Sequence, residues 1–223
     1  MELPINQIIC GDCLDVMNDW PDNCVDLVLT DPPYGVGIDY DRFDDTPQNL
    51  KVLVNAVMPE ILRISKRVLM TVGHDNIWLY PKSDWVLAWV VPAGSNQSRW
   101  GFTCWHPILA YGKDPYRENC MGARPDIIIK QESTEKLGHP VAKPIGVWGE
   151  ILMRGSVKPS DIILDPFCGS GTTCVAAKML GRSYIGIDIS DEYCQIARER
   201  IRAVDTGVPV KEARAGQIGL FGD

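Results

Sequence analysis

The chain has 223 residues, 45% hydrophobic and 23% charged, which is the composition of an ordinary soluble globular domain with room for one core. Its net charge of −7 argues against a protein that coats nucleic acid by bulk attraction. No apolar run approaches the roughly 18 residues of a membrane span and the N-terminus lacks a secretory pattern, so we expect a cytoplasmic protein without membrane contact.

Seven apolar runs bounded by turn residues predict strands. In chain order they are Asn6–Cys10, Val25–Thr30, Arg67–Val72, Val86–Val91, Ile108–Tyr111, Ile162–Leu164 and Tyr184–Ile187. Helical periodicity is clearest in Gln48–Ser65, Lys143–Met153, Thr172–Leu180 and Asp191–Arg202. This alternation predicts an α/β fold with a largely parallel sheet and helices on both faces, formed by residues 1–223 as a single domain.

The middle of the chain differs from the rest. Residues 92–138 are rich in Gly, Pro, Asn, Ser and aromatic residues, with one clear strand, and we expect mostly loops there. Between Arg99 and Lys158 there are nine Lys and Arg against six Asp and Glu, so a polyanion would meet this part. Its basic residues include Arg99, Lys113, Arg117, Arg124 and Lys130, each of which is more often a solvated surface charge than a base reader. The tail, residues 204–223, is expected to be partly ordered, with Leu220 and Phe221 docking on the body.

The eight cysteines are interpreted as free thiols, because the chain lacks an export pattern. Cys10 and Cys13 form one C-x-x-C pair, but no second pair follows at zinc-ligand spacing. The three histidines are scattered along the chain. We therefore expect no metal site.

A strand, a glycine turn and a helix start follow one another in residues 162–173, Ile-Ile-Leu-Asp-Pro-Phe-Cys-Gly-Ser-Gly-Thr-Thr. Gly169 and Gly171 let the backbone approach a ligand closely, and the helix start presents free N–H groups. Seventeen residues after Gly171 a second strand ends in Asp188, where a carboxylate can accept both hydroxyls of a ribose. The pattern predicts a nucleotide-like ligand.

Two details narrow the kind of nucleotide ligand. The third position of the dinucleotide pattern is Cys174 instead of Gly or Ala, and no Lys follows the glycines as a phosphate-binding loop requires. Asp165 ends the first strand, where its carboxylate could pair with an amino group or a sulfonium. A nicotinamide-dependent dehydrogenase is therefore disfavoured, although it stays open.

Nearer the N-terminus, a predicted strand runs into Asp31-Pro32-Pro33-Tyr34-Gly35. The residue types of this segment indicate the chemistry. The prolines end the ladder and stiffen the turn, so the Asp31 carboxylate, the Pro32 carbonyl and the Tyr34 ring project in fixed geometry. Two acceptors that hold the hydrogens of an exocyclic amine favour a pyramidal nitrogen with an available lone pair. The Tyr34 ring would stack on an extruded base. Alone, the tetrapeptide could be a rigid turn.

The tetrapeptide and the Asp165–Thr172 segment together resemble the amino-methyltransferase family of DNA-modifying enzymes, in the permuted order where the tetrapeptide comes first. The resemblance implies the Rossmann-like fold of methyltransferases that use S-adenosylmethionine as their cofactor. Counted from the glycine strand, the implied order of the seven strands is 3-2-1-4-5-7-6, with Ile108–Tyr111 antiparallel. Its implied substrate is a flipped base in double-stranded DNA.

The resemblance also assigns residues. Asp31, Pro32, Pro33 and Tyr34 would be catalytic. Segments Gly11-Asp12-Cys13, His139-Pro140 and Lys143-Pro144 would meet the adenine and methionine parts of the cofactor. The expected cofactor-binding residues are Asp12, Cys13, Asp31, Lys143, Asp165, Phe167, Gly169, Gly171, Thr172 and Asp188.

Several alternatives stay open. Asp at position 31 favours adenine N6 as the target, and cytosine N4 is the nearest rival because its amine needs the same geometry. A protein glutamine amide fits less well, RNA stays open as a substrate, and a non-catalytic relic is disfavoured by the intact motifs. Target recognition in residues 92–138 would be short, relaxed or shared across a homodimer. Trp105-His106-Pro107 replaces a less bulky, acidic family pattern, which leaves His106 open between packing and DNA contact.

Overall fold

The computed structural model describes residues 2–94, 96–98, 100–132 and 143–207. The strands in these residues are β1 (Gln7–Cys10), β2 (Leu27–Thr30), β3 (Arg67–Thr71), β4 (Trp85–Val90), β5 (Asn96–Ser98), β6 (Gly101–Thr103), β7 (Trp105–Gly112), β8 (Ile127–Ile129), β9 (Ile162–Asp165) and β10 (Ser183–Asp188). The helices are α1 (Cys13–Met17), α2 (Pro47–Ile64), α3 (Pro115–Glu118), α4 (Ile145–Gly155), α5 (Thr172–Met179) and α6 (Asp191–Thr206), with a 3-10 helix at His74–Leu79.

Eight strands form one sheet in the order β1-β10-β9-β2-β3-β7-β4-β8. Numbered from the glycine strand β9, the first seven read 3-2-1-4-5-7-6, so the predicted order is confirmed. Strand β7 runs antiparallel to both β3 and β4, also as predicted, and the other pairs in the sheet are parallel. The eighth strand, β8, was not predicted, because a run of three isoleucines is too short to identify a strand from its pattern.

The middle segment contains more regular structure than the loops predicted for it. Strands β5 and β6 form a separate hairpin, β7 begins three residues earlier than expected, and β8 pairs with β4. Gly, Pro and aromatic residues masked these short strands because such residues also occur in loops. Positions 95, 99 and 133–138 of this segment lie outside the described residues.

The main helices form where the apolar spacing predicted them. Helix α2 begins with Thr46, whose hydroxyl accepts a hydrogen bond of 3.2 Å from the Asn49 amide, and Pro47 fits the first turn. Helix α6 begins at a Ser190 cap and ends at Gly207, which has a φ of 66°. It therefore includes positions 204–206, which the sequence pattern places in the partly ordered tail. Residues 208–223, with Leu220 and Phe221, lie outside the described residues.

Helices cover both faces of the sheet. Alternate side chains of β2 point to opposite faces, so Leu27 and Leu29 pack with α4, α5 and α6, while Val28 packs with α1 and α2. Trp148 of α4 is fully buried in the first of these clusters. Within the described residues, no helix is both long and apolar enough to span a bilayer.

Candidate active site

The carboxyl ends of four neighbouring parallel strands, β1, β10, β9 and β2, meet at one edge of the sheet, where open α/β sheets bind ligands. A cavity of about 450 Å³ lies there. Its wall includes most of the residues that the sequence placed at a cofactor, namely Asp12, Cys13, Asp31, Lys143, Asp165, Phe167, Gly169, Thr172 and Asp188. Pro33 also lines it. The structure therefore brings the tetrapeptide and the glycine turn into one cleft.

Asp188 is held rigidly at the end of β10. Its Oδ2 accepts a hydrogen bond of 2.7 Å from the Gly169 amide, and its Oδ1 accepts one of 2.9 Å from the Ser190 amide. Burial raises the pKa of this carboxyl, while those backbone donors oppose the rise. Each oxygen keeps a further lone pair for a ligand hydroxyl. Across the cavity, Asp12 accepts a hydrogen bond of 2.8 Å from the Leu14 amide and thereby caps α1.

Gly171 lies outside the cavity wall, unlike Gly169. It has a φ of +79°, and a Cβ at this position would lie 2.7 Å from Cβ of Ala197 in α6. The second glycine is thus required for close packing of the turn on α6. Thr172 follows it, and its hydroxyl accepts a hydrogen bond of 3.1 Å from Nη1 of Arg200.

The Asp165 carboxylate is buried, with 4% of its surface exposed, and is surrounded by donors. Thr30 and Thr173 each donate a hydroxyl hydrogen bond of 2.6 Å, and the Phe167 amide donates one of 3.1 Å. Burial raises the pKa of Asp165 to about 7, against the lowering effect of these donors. Trp148 extends the network through a bond of 3.0 Å from its indole N–H to the Thr173 hydroxyl. Asp165 therefore joins strands as well as facing the cavity.

Within the part of the chain that the structure describes, the Asp31 carboxylate has three side-chain partners. Nζ of Lys143 lies 2.8 Å from Oδ2. On the other oxygen, Oδ1, Asp31 accepts hydrogen bonds from the Thr71 hydroxyl and, at 2.5 Å, from the Tyr34 hydroxyl. Thr71, which bonds Asp31, and Thr30, which bonds Asp165, were not singled out from the sequence, because a threonine at a strand end has no distinctive pattern.

Burial and a backbone hydrogen bond hold the rest of the tetrapeptide in place. Pro32 is buried and Tyr34 is half-buried, and Asn76 donates a hydrogen bond of 2.5 Å to the Tyr34 carbonyl. Nζ of Lys143 lies 5.3 Å from the centroid of the Tyr34 ring, within cation–π range. Burial raises the pKa of the Tyr34 hydroxyl well above its usual range, with the Asp31 charge adding to the effect. The hydroxyl therefore stays protonated and remains a donor.

Asp45 fixes the chain directly after the tetrapeptide. Only 2% of it is exposed, and its carboxylate accepts hydrogen bonds from three backbone amides: Gly35 at 2.6 Å, Val36 at 3.1 Å and Ile38 at 3.1 Å. Sequence reasoning missed this residue, because it is one of several aspartates in an acidic loop and nothing local distinguishes the buried one.

A group of aromatic rings flanks Tyr34 on the side of β7. The His106 ring lies 4.7 Å from that of Trp89, centroid to centroid, and Trp105 meets His74 edge to face at 4.8 Å. Burial lowers the pKa of His106 to about 4, with the Lys143 charge as the next cause. His106, whose role the sequence left open, thus packs against Trp89 as a neutral, partly exposed ring in this structure.

Most of the basic residues considered for DNA contact are far from this cleft. The carboxyl-terminal end of antiparallel β7 lies at the opposite edge of the sheet, and Lys113 and Arg117 follow it directly. Arg124 stacks on Tyr116 beside them, 4.8 Å from the ring centroid. Lys130 follows β8 on the cleft side and pairs with Glu150 at 3.3 Å.

Three residues of interest, Arg99, His139 and Pro140, lie outside the described residues. All eight cysteines are described, and they are free thiols as predicted. In the described part of the chain, no cluster of three or more His, Cys, Asp or Glu could hold a metal ion.

A model of the N6/N4 DNA methylase family matches residues 71–199, more than half of the chain. The chain belongs to this DNA methylase family. The methylase is 30% identical to the type II methyltransferase M.HpaI of Haemophilus parainfluenzae, over 87% of its own length and 74% of the relative. It is 25% identical to a solved M1.HpyAVI–SAM complex, with a TM-score of 0.62, covering 87% and 98% of the two chains.

The fold class is also confirmed. The cytosine-N4-specific PvuII DNA methyltransferase superposes on the methylase with a TM-score of 0.68 over 93% of this chain and 89% of that one, at 14% identity. The methylase has the Rossmann-like fold of S-adenosylmethionine-dependent methyltransferases, with the tetrapeptide strand before the glycine strand. The resemblance inferred from the two motifs was therefore correct.

The cavity suits S-adenosylmethionine. Asp188 offers free lone pairs on a fixed carboxylate to ribose hydroxyls, and the apolar side chains of Phe167 and Ile189 line the cavity beside it for a purine ring. Lys143 supplies a cation for a carboxylate group at the end near Asp31. Donors, acceptors and apolar surface are thus present in the cavity for each part of the cofactor.

Proposed function

We propose that the methylase transfers the methyl group of S-adenosylmethionine to the N6 amine of an adenine that is flipped out of double-stranded DNA. The observation that carries this proposal is the position of Lys143. Its ammonium already occupies a site made of an acceptor, Asp31 Oδ2 at 2.8 Å, and an aromatic face, the Tyr34 ring at 5.3 Å. An adenine needs that combination, an acceptor for its amine and a surface for its ring.

The tetrapeptide residues act on the base. The Asp31 carboxylate accepts one amine hydrogen and the Pro32 carbonyl the other, which directs the nitrogen lone pair towards the cofactor. The Tyr34 ring stacks on the base. Thr71 and the Tyr34 hydroxyl fix the carboxylate from its far side, so it is oriented before the base arrives. Asp31 also stands ready to receive the proton that the nitrogen loses when its bond to carbon forms.

The cofactor end is assigned to the residues that line the cavity. Asp188 holds the ribose, Asp12, Cys13 and Phe167 lie against the adenine, and Gly169 allows close backbone approach. Lys143 moves to the methionine carboxylate when it leaves Asp31. The turn behind the cofactor is shaped by Asp165, Gly171 and Thr172. When bound, S-adenosylmethionine supplies an electrophilic methyl group on a sulfonium sulfur.

Residues 1–223 form one catalytic unit in this proposal, and the target sequence is read within residues 92–138. Asp at position 31 favours adenine, and cytosine N4 is the second candidate because its exocyclic amine would meet the same acceptors. DNA is incubated with a labelled methyl donor, digested to nucleosides and analysed by mass, and the modified positions are mapped by sequencing. N6-methyladenine supports the proposal, whereas N4-methylcytosine or the absence of product overturns it. Running the same assay on RNA tests that substrate.

The role of Asp31 is tested with Asp31→Ala. We expect transfer to be abolished while cofactor binding, measured by calorimetry, persists. The matched control is Asp19→Ala, an exposed aspartate outside the cavity wall, which should keep wild-type activity. Near-normal methylation by Asp31→Ala would refute the assignment.

A further inference from the structure

A hairpin rises from the sheet edge that holds the cleft. The ladder between β4 and β7 ends at that edge with the pair Val90 and Trp105. Strands β5 and β6 then pair as a separate hairpin beyond it, up to the pair Ser98 and Gly101. Trp100 lies at the tip with 99% of its surface exposed, next to Gly101, which has a φ of +121°. The hairpin thus presents the largest side chain type at its outermost point.

Exposed aromatic side chains lead from this tip towards the cleft. Phe102 is 73% exposed and Trp105 is 40% exposed. Trp105 contacts His74 edge to face at 4.8 Å. Gly73, the residue before His74, packs beside Tyr34, since a Cβ at Gly73 would lie 3.8 Å from Cβ of Tyr34. The tip and the tetrapeptide are therefore parts of one face.

Such a concentration of exposed aromatic surface is typical of an interaction site. The partner follows from its position, because a duplex that delivers a base to Tyr34 must lie against this edge. Five residues of chain separate Trp100 at the tip from Trp105 at the sheet edge. At about 3.3 Å per residue of extended chain, the tip can stand roughly 16 Å from that edge. A DNA groove is only about 8 Å deep, so the tip can reach the base stack.

Among the described Lys and Arg of residues 92–138, the distribution of charge favours stacking over phosphate contact for this surface. Lys113, Arg117 and Arg124 lie at the opposite edge of the sheet, and Lys130 on the cleft side is paired with Glu150. Stacking between an aromatic ring and a base needs no cation and tolerates any sequence. An aromatic hairpin is thus suited to opening a duplex whose sequence is read by other groups.

We propose that Trp100 inserts into the DNA stack beside the target nucleotide and fills the gap that the flipped base leaves. Trp100 is then a positioning residue, because it acts on the equilibrium of flipping and touches no reacting atom. The inference rests on the proposed function in that it requires a base to leave the stack. It holds equally for adenine and for cytosine as the target.

The test uses a duplex that carries the mapped target site with 2-aminopurine in place of the target adenine, or pyrrolocytosine if the product is N4-methylcytosine. These analogues gain fluorescence when they leave the stack. We expect Trp100→Ala to lose most of the gain and to bind the duplex about tenfold more weakly, with unchanged affinity for S-adenosylmethionine. Trp100→Phe, which keeps an aromatic ring, should restore most of both signals.

The matched control is Trp85→Ala. Trp85 is 62% exposed and begins β4, so it lies at the edge opposite the cleft, and its removal should leave the fluorescence gain and the affinity unchanged. The proposal is overturned if Trp100→Ala stays within twofold of wild type in both measurements. It is also overturned if Trp100→Ala dissociates a dimer in sedimentation, since a second copy would then cover the hairpin. Failure of the adenine assignment shows separately, in the mass of the modified nucleoside.

Discussion

The hydroxyl of Thr30 donates a hydrogen bond of 2.6 Å to Oδ1 of Asp165, and this bond ties the strand before the tetrapeptide to the glycine strand. Both residues are buried, and Thr173 donates to the other carboxylate oxygen from the first turn of α5. One buried carboxylate thus connects the two halves of the cleft. Its protonation consequently affects stability and the geometry of both motifs.

Replacing Asp165 with Asn should change how stability depends on pH. Burial raises the pKa of Asp165 to about 7, so between about 4 and 7 the folded protein holds a proton that the unfolded chain releases. The free energy of unfolding contributed by this residue is therefore largest below about pH 4 and is lost as pH rises to about 7, by at most about 4 kcal/mol. Urea unfolding between pH 4.5 and 8 should show this loss in the wild type, with none of it in Asp165→Asn. The control Asp19→Asn, at an exposed site, should show the same pH dependence of the free energy of unfolding as the wild type. If Asp165→Asn also showed the wild-type pH dependence, the raised pKa of Asp165 would be contradicted.

His106 should produce the opposite slope. Burial lowers its pKa to about 4, so the unfolded chain binds a proton between about pH 4 and 6.5 that the folded protein excludes. Stability from this residue is complete above about pH 6.5 and is lost as pH falls to about 4. His106→Phe keeps a ring against Trp89 and should remove that acid-side loss in the same unfolding series. The imidazole NMR signal of wild-type His106 should stay constant from pH 8 to 5.5, and a midpoint near 6.5 would rule out the buried neutral form.

The sequence predicted the parts of this molecule that have a period or a motif. The strand order was implied by the family resemblance that the tetrapeptide and the glycine turn carry together, and the tetrapeptide marked the end of β2. The pairing of Asp31 with Lys143 joins residues far apart in the chain, so no local pattern shows it. The burial of Asp45 depends on how its loop folds back on three amides, and composition alone suggested a solvated acidic loop. Local chemistry was therefore readable, whereas long-range partners were not.

Asp45→Ala should weaken both catalysis and stability. It leaves the amides of Gly35, Val36 and Ile38 without their charged acceptor, at a cost on the order of 2–3 kcal/mol in the free energy of unfolding. Because these amides directly follow Tyr34, we expect kcat to fall at least tenfold, since a misplaced ring and carboxylate lose orientation. Radioactive methyl transfer and chemical unfolding measure the two effects.

The control for this loop is Asp44→Ala. Asp44 is exposed, and its carboxylate accepts one long hydrogen bond of 3.3 Å from Asn49. Its removal should change kcat and stability little. Equal losses in Asp44→Ala and Asp45→Ala would show that the loop needs overall negative charge and not the buried amide contacts.

Gly171→Ala and Gly181→Ala separate backbone strain from packing in the glycine turn. Both glycines have a left-handed backbone, with φ of +79° and +68°, so each alanine carries a strain of about 1–2 kcal/mol. A Cβ at Gly181 would have no neighbour within 4 Å among the described residues, whereas one at Gly171 would lie 2.7 Å from Cβ of Ala197 and must push α6 away, which adds about 1–3 kcal/mol. Calorimetry should show a Tm for Gly171→Ala lower than that for Gly181→Ala by about 2–12 °C. Since α5 starts directly after Gly171, that variant alone should also bind S-adenosylmethionine more weakly. Matching values of Tm and of cofactor affinity for the two variants would mean that the second glycine serves the left-handed turn and not the contact with α6.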